Sequence, residues 1–282
     1  MMRLPLLAAV ALAIGCLVPQ ELPAQEAKDP RPQAIRPTRV IKLFNGKDLS
    51  GWVTWLRDTK HEDPRRVFRV TDGMLHITGD GFGYIRTKED YRDYHLVAEF
   101  RWGTRTWRSR KERAKDSGIL IHCVGPDGNY GGTWMASIEY QIIQGGVGDL
   151  LVLRGKYADG SVVPTRLTCE VTRDRDGEWV WHRGGMRRVF TRGRINWFGR
   201  DPDWKDVLGF RGRNDVESPG QQWTRCEIIC RGGHIQALVN GVLVNEGFDA
   251  FPTAGKILIQ TEGAELFFRR LELHPLKEEK EK

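Results

Sequence analysis

Three short runs carry the side chains best suited to moving a proton. Ser117 to Val124 reads SGILIHCV, Ser137 to Ile143 reads SIEYQII, and Gly255 to Glu262 reads GKILIQTE. Along an extended strand, successive side chains point to opposite faces. Ile119, Ile121 and Cys123 therefore share one face of the first run, which leaves His122 on the other. By the same arithmetic Ile138, Tyr140 and Ile142 leave Glu139 and Gln141 opposite, and Ile257 and Ile259 leave Gln260 and Glu262 opposite. A fourth run, Tyr94 to Trp102, sets Leu96, Ala98, Phe100 and Trp102 against Val97, Glu99 and Arg101. If these strands are neighbours, Glu99, Arg101, His122, Glu139, Gln141, Gln260 and Glu262 line one polar sheet face. Such a face on a curved sheet suits a polyhydroxylated ligand, because carboxylates and amides bond hydroxyls and tryptophans stack on sugar rings. Trp134, in the glycine-rich GNYGGTWMAS, is the candidate ring. An antiparallel strand with one wet face shows the same alternation with no function at all. Ordinary wet faces, however, favour Thr, Lys and Ser over His, Gln and Glu flanked by isoleucine.

Other patterns point away from other chemistries. Arg101 to Lys115 is rich in basic residues with two tryptophans interleaved, a composition found in nucleic-acid binders. In a hairpin loop of an exported chain it reads instead as a solvated face or partner contact, so no nucleic-acid partner is expected. GGVGD, Gly145 to Asp149, precedes a strand rather than a helix and so lacks the context of a phosphate loop; Asp149 stands as a candidate substrate-binding residue. There is no GxSxG, no HExxH and no paired histidine spacing, so serine-hydrolase and zinc-hydrolase chemistry find no support. No cofactor is expected and no metal-ligating residues are singled out; the sequence leaves metal binding open.

The elements that must position these residues are strands. Val67 to Val70, Asp72-Gly73 and Met74 to Thr78 form a hairpin signal, and Asn240-Gly241 marks a second one between His234 to Val239 and Val242 to Asn245. Tyr84 to Thr87, Leu150 to Leu153, Trp223 to Cys230 and Glu265 to Leu273 extend the series. About a dozen short strands with almost no helical periodicity predict an all-β fold, a sandwich of two antiparallel sheets or a jelly roll. Arg154 to Gln222 alternates weakly; Thr165 to Thr172 and Trp179 to His182 offer one hairpin inside it. It reads as an insertion rather than a second domain, and long insertions of this kind are usually functional.

The ends of the chain speak to location. Arg3 precedes an apolar run from Leu4 to Val18, too short to cross a bilayer and of signal-peptide length. Leu22-Pro23-Ala24 offers a cleavage point, which makes 1–24 a signal peptide and 25–39 a leader. Alternatively Ala13-Ile14-Gly15-Cys16 is an imperfect lipobox, which would make Cys16 a lipid anchor. Either way the chain is expected to be exported, periplasmic or extracellular, with no transmembrane segment. Export permits disulfides among Cys123, Cys169, Cys226 and Cys230, although Cys226 and Cys230 lie too far apart along one strand to bond each other. The formal net charge of +7 is spread along the chain rather than blocked. The last six residues, 277–282, form a charged tail.

LFNGKDLSGW (Leu43 to Trp52), GYIRTKEDYRDYHLVAEFRW, DSGILIH, IEYQII, ALVNGVLVNEGFD and GKILIQTEGAELFFRRLELHPL, in this order, resemble the 3-keto-disaccharide hydrolase family, whose members act as 3-keto-glucoside-1,2-lyases and 3-keto-2-hydroxy-glucal hydratases. The likeness runs from about Val40 to Leu276, so 40–276 is one domain carrying the insertion 154–222. The chain departs from shorter members by that insertion, and by Asp116-Ser117-Gly118 where Asn-Ser-Gly is frequent. The resemblance implies a concanavalin-A-like jelly roll in which LFNGKDLSGW closes the sandwich beside the last strand. It also implies a reaction. A ketone at C3 acidifies the C2 proton, a base removes it, the aglycone leaves C1, and water then adds. On that reading His122, Glu139 and Glu262 are the candidate acid and base, while Arg86, Arg101, Gln141 and Gln260 are candidate stabilisers, with an oxidised glycoside as partner. A non-catalytic carbohydrate-binding module of the same fold is the rival, since fold does not dictate function.

Overall fold

The computed structural model of the protein describes residues 33–277. The expected signal peptide, the lipidation alternative at Cys16, the first part of the leader and the tail beyond Lys277 lie outside the described residues. Among the described residues no helix is long and apolar enough to cross a membrane.

Among the described residues eighteen strands follow one another, more than the dozen the alternation suggests. They are β1 (Ile41–Lys42), β2 (Trp52–Leu56), β3 (Phe68–Thr71), β4 (Met74–Ile77), β5 (Phe82–Thr87), β6 (Tyr94–Thr106), β7 (Asp116–Val124), β8 (Ala136–Ile143) and β9 (Leu150–Leu153). Then come β10 (Arg166–Arg173), β11 (Trp179–Trp181), β12 (Met186–Phe190), β13 (Gly193–Ile195), β14 (Thr224–Arg231), β15 (His234–Val239), β16 (Val242–Phe251), β17 (Lys256–Glu262) and β18 (Ala264–Pro275). One short 3₁₀ turn, Arg108–Arg110, separates β6 from β7.

All paired strands run antiparallel and form two sheets. The larger runs β11-β10-β16-β15-β14-β6-β18-β4-β3, with β1 on β18 and β12 on β10; the smaller runs β13-β9-β8-β7-β17-β5-β2. Chain neighbours such as β6 and β7, or β17 and β18, lie in different sheets, so the chain crosses repeatedly from one layer to the other. This is a jelly-roll sandwich. Ile119, Ile121, Ile138, Ile142, Ile257 and Ile259 from the smaller sheet meet Leu96, Phe100, Ile228, Leu266 and Phe268 from the larger in one buried core. Buried Tyr140 spans the layers, its hydroxyl donating to the Leu238 carbonyl at 3.0 Å.

Turn chemistry places the hairpins where the sequence puts them. Asp72 and Gly73 both take positive φ (50° and 73°) between Thr71 and its partner Met74, as a two-residue turn matched to strand twist requires. LFNGKDLSGW also sits as expected: Ile41 pairs with Leu273 and the Leu43 amide bonds the Leu271 carbonyl, so this run lies beside the last strand of the sandwich. Asn45 Oδ1 then accepts from the backbone amides of Lys47 and Asp48 to make the turn, and Trp52 is buried.

The segment 154–222 is not a free-standing loop. Its β10 and β11 form the expected hairpin, β10 extends the larger sheet against β16, and β13 extends the smaller against β9. Its Leu167, Val171, Trp181, Phe190, Ile195 and Trp197 join the common core. The weak alternation of the segment reflects short strands at sheet edges, not a lack of packing.

Candidate active site

The outer face of the smaller sheet holds a cleft of about 320 Å³. Its floor comes from three adjacent strands. Gly118 on β7 pairs with Gln141 on β8, and Leu120 with Glu139; on the other side β17 brings Gln260 and Glu262 alongside. The centre is open because residue 118 is glycine. A Cβ there would stand 2.5 Å from Glu139 Oε1 and 2.6 Å from Gln260 Oε1. Asp116 from β7, Arg110 from the turn after β6, Arg194 from β13, and Trp134 and Tyr130 from the β7–β8 loop complete the walls.

Three carboxyls and two guanidiniums share this space. Asp116 is buried and accepts from Arg110 Nη2 and from Gln141 Nε2. Glu262 lies 3.6 Å from the same guanidinium. Arg194 donates to Gln141 Oε1 at 3.2 Å and to Asp149 Oδ2 at 2.8 Å. Burial, then the nearby Asp116, pushes Glu139 up to about 8, with Arg194 and the Gln260 amide only partly opposing. Burial and Glu139 push Glu262 up to about 7 against the pull of Arg110. Asp116 moves upward as well, through burial and Glu262. Of the three carboxyls, Glu139 has no ion pair with a guanidinium among the described residues, so it is the one best placed to keep a proton near neutrality. Environments that separate the pKa values of adjacent carboxyls are how a site obtains an acid and a base together.

The structure gathers Glu139, Gln141, Gln260, Glu262 and Trp134 in this cleft. It removes His122. The strand bulges at this residue: φ is +54° and the pairing shifts register between Ile121 and Val124. The alternation therefore inverts, sending Cys123 toward Leu120 and Leu258 on the outer face. His122 turns inward, edge-on to Tyr94, with Nδ1 at the Pro252 carbonyl. Glu99 and Arg101 are also displaced, because β6 belongs to the other sheet; Glu99 there ion-pairs with Arg269. Arg86 lies on the correct sheet but is committed to Asp127, which it grips through Nε at 2.6 Å and Nη2 at 2.8 Å. With the Tyr84 hydroxyl on the same carboxylate, this pair anchors the loop that carries Trp134. Asp149 is fully buried behind the cleft, bound by Arg194 and Arg200 and by the Trp197 amide, and serves as a brace. Sequence reasoning missed Arg110 and Arg194, which reach in from a turn and from the insertion. Asp116 was within reach of it, one step further back along β7 with the parity of Gly118. Among the described residues no three His, Cys, Asp or Glu side chains converge as a metal ion would need.

A family of 3-keto-alpha-glucoside-1,2-lyase-like domains matches residues 39–274, and the chain belongs to that family. A search among curated proteins finds no match. Among solved structures, a Parabacteroides distasonis ATCC 8503 protein provisionally described as a glycosyl hydrolase is 19% identical, covering 85% of this chain and 94% of that one, with a TM-score of 0.47. A Bacillus licheniformis β-glucanase is 11% identical, covering 84% and 97%, with a TM-score of 0.42. The carbohydrate-binding module CBM66 from Bacillus subtilis is 9% identical, covering 79% and 94%, with a TM-score of 0.42. The protein is thus carbohydrate-active by family.

Proposed function

We propose that the protein cleaves 3-keto-glycosides in this cleft by eliminating the aglycone from C1. The observation that carries the reading is the pair of carboxyls, buried Glu139 at about 8 and half-buried Glu262 at about 7, flanking the opening at Gly118. Glu262 as carboxylate takes the C2 proton, which the C3 ketone has made acidic. The electron pair forms the C1–C2 double bond as the C1–O bond breaks, and Glu139 gives its proton to the departing oxygen. Arg110, Arg194 and the Gln141 and Gln260 amides face the same space and can hold the charge that gathers on the C3 oxygen. Addition of water then returns both groups to their starting states: Glu139 takes a water proton as hydroxide adds at C1, and Glu262 gives its proton back to C2. Trp134 and Tyr130 supply ring surface for the sugar or aglycone.

A binding module needs no such carboxyl set, and an aromatic platform alone would serve it. The deciding experiment incubates the protein with a 3-keto-glucoside carrying a chromogenic aglycone, with the unoxidised glucoside as control. Release from the keto compound alone is the expected result. Equal release from both would mean ordinary glycosidase chemistry, and sugar binding with no release would mean a module.

A further inference from the structure

The opposite broad face of the sandwich carries a second polar cleft, of about 340 Å³. A single cross-strand row runs over it. Arg69 on β3 stands beside His76 on β4, His76 beside Phe267 on β18, and Phe267 beside Arg101 on β6. Arg105 and Glu265 line the same space.

The one carboxylate in this cleft is already committed. Arg69 Nε donates to His76 Nδ1 at 3.1 Å, which fixes the imidazole proton on Nε2, and Nε2 donates to Glu265 Oε1 at 2.9 Å. Glu265 Oε2 accepts the backbone amides of Thr104 and Arg105 at 3.0 and 3.2 Å. Burial, opposed in part by Glu265, lowers the pKa of His76, so the ring is neutral at neutral pH. Against the single negative charge stand three guanidiniums, Arg69, Arg101 and Arg105, none of which has a carboxylate partner among the described residues. Arg101 is the most constrained. Its head lies between the rings of Trp223 and Phe267, 5.1 and 5.2 Å from their centroids. Its Nε is shut off from solvent with no hydrogen-bond partner. A cation held in one orientation and partly stripped of water, without a counter-charge, is costly unless an anion completes it. The aromatic faces are occupied by guanidinium and imidazole, since His76 stacks on Phe267 at 4.2 Å. The cleft is therefore built around charge, not around sugar-ring stacking.

We propose that this cleft is an oxyanion-binding site, taking a carboxylate or sulfate group between Arg69, Arg101 and Arg105. The planar guanidinium fork matches such groups in two-point geometry. The volume equals the share of roughly ten liquid waters, so it admits an anion borne on a sugar as well as a free one. The site lies on the sheet remote from the carboxyl cleft, and needs no chemistry there.

Calorimetric titration of the full-length protein tests this, using sodium sulfate and a galacturonate oligomer at constant ionic strength set by chloride. Binding of at least one above the chloride control is expected. Arg101→Gln should weaken it ten-fold or more, and Glu139→Gln and Arg194→Gln should leave it unchanged. Arg69→Gln, checked for folding by circular dichroism, repeats the test if Arg101→Gln fails to fold. A tighter oligomer identifies a sugar-borne anion and a tighter sulfate a free one, and both outcomes sustain the site. Binding of neither, binding unaltered in both arginine variants, or binding abolished by the carboxyl-cleft variants would overturn it.

Discussion

Glu139 and Glu262 differ in one respect that separates their roles in the proposed reaction. Glu262 stands 3.6 Å from the Arg110 guanidinium, whereas Glu139 makes no ion pair among the described residues and feels Arg194 only at a distance, with Asp116 and the Gln260 amide beside it. Glu139→Gln keeps the shape and the bond to Gln260 while removing the transferable proton. Turnover of a 3-keto-glucoside should fall by roughly 10²-fold or more, the scale of a positioned acid or base, with the circular dichroism spectrum unchanged; unaltered turnover would remove Glu139 from the chemistry. The pH profile follows from the same two groups. The base must be ionised, so kcat/KM should fall below about 7, and the acid must be protonated, so it should fall above about 8. Stability moves the other way. A carboxyl whose folded pKa is raised contributes stability that is present below the ordinary value of 4.5 and lost as pH rises through about 8. Glu139→Gln escapes that loss. Its Tm should match the parent near pH 4.5 and exceed it above pH 8, as a thermal melt series would show.

At the scale of elements, β7 shows both how far the pattern of a strand reaches and where it stops. Parity along β8 and β17 places Glu139, Gln141, Gln260 and Glu262 on one face because those strands are regular there. Parity along β7 fails at His122, since a bulge adds one residue and reverses every facing beyond it; nothing in SGILIHCV announces the positive φ. Parity along β6 gives the right face of the wrong sheet, because alternation is local and sheet order is set by contacts far apart in the chain. Arg110 and Arg194 were illegible for a similar reason: a turn and an insertion deliver them, and neither has a period to read. The same strand offers a sharp test. Gly118→Ala would thrust a methyl between Glu139 and Gln260, whose flexible ends can move aside. The fold should survive while turnover drops ten-fold or more. Behind the insertion, Asp149→Asn strips a fully buried carboxylate from Arg194 and Arg200. Breaking a buried pair costs about 3–5 kcal/mol, so chemical denaturation should show a loss of that order, and the substrate KM should rise as Arg194 loses its anchor. A loss below about 1 kcal/mol would mean that the brace is not one.

For the whole molecule, the question is what holds two sheets of this size together. The answer is packing, not covalent bonds. Cys123, Cys169, Cys226 and Cys230 are all free and buried. They are distributed over both layers: Cys123 lies on the outer side of β7, Cys169 on β10 within the insertion, and Cys226 and Cys230 on the inward face of β14. Burial raises each thiol well above its usual range, so each lacks both access and thiolate character, the two requirements for reaction. Together they report on every layer of the fold. In native protein a thiol reagent should label none of the four within minutes. In guanidinium chloride all four should react, and the denaturant midpoint for labelling should coincide with that for loss of the β-sheet dichroism. Because the insertion shares the common core, Cys169 should become reactive in step with Cys226 and Cys230, as peptide mapping of partly labelled protein can determine. Labelling of Cys169 at lower denaturant would mean that 154–222 unfolds as a unit of its own. Reductant should leave the Tm unchanged; a fall would mean that a disulfide forms in solution where the structure has thiols.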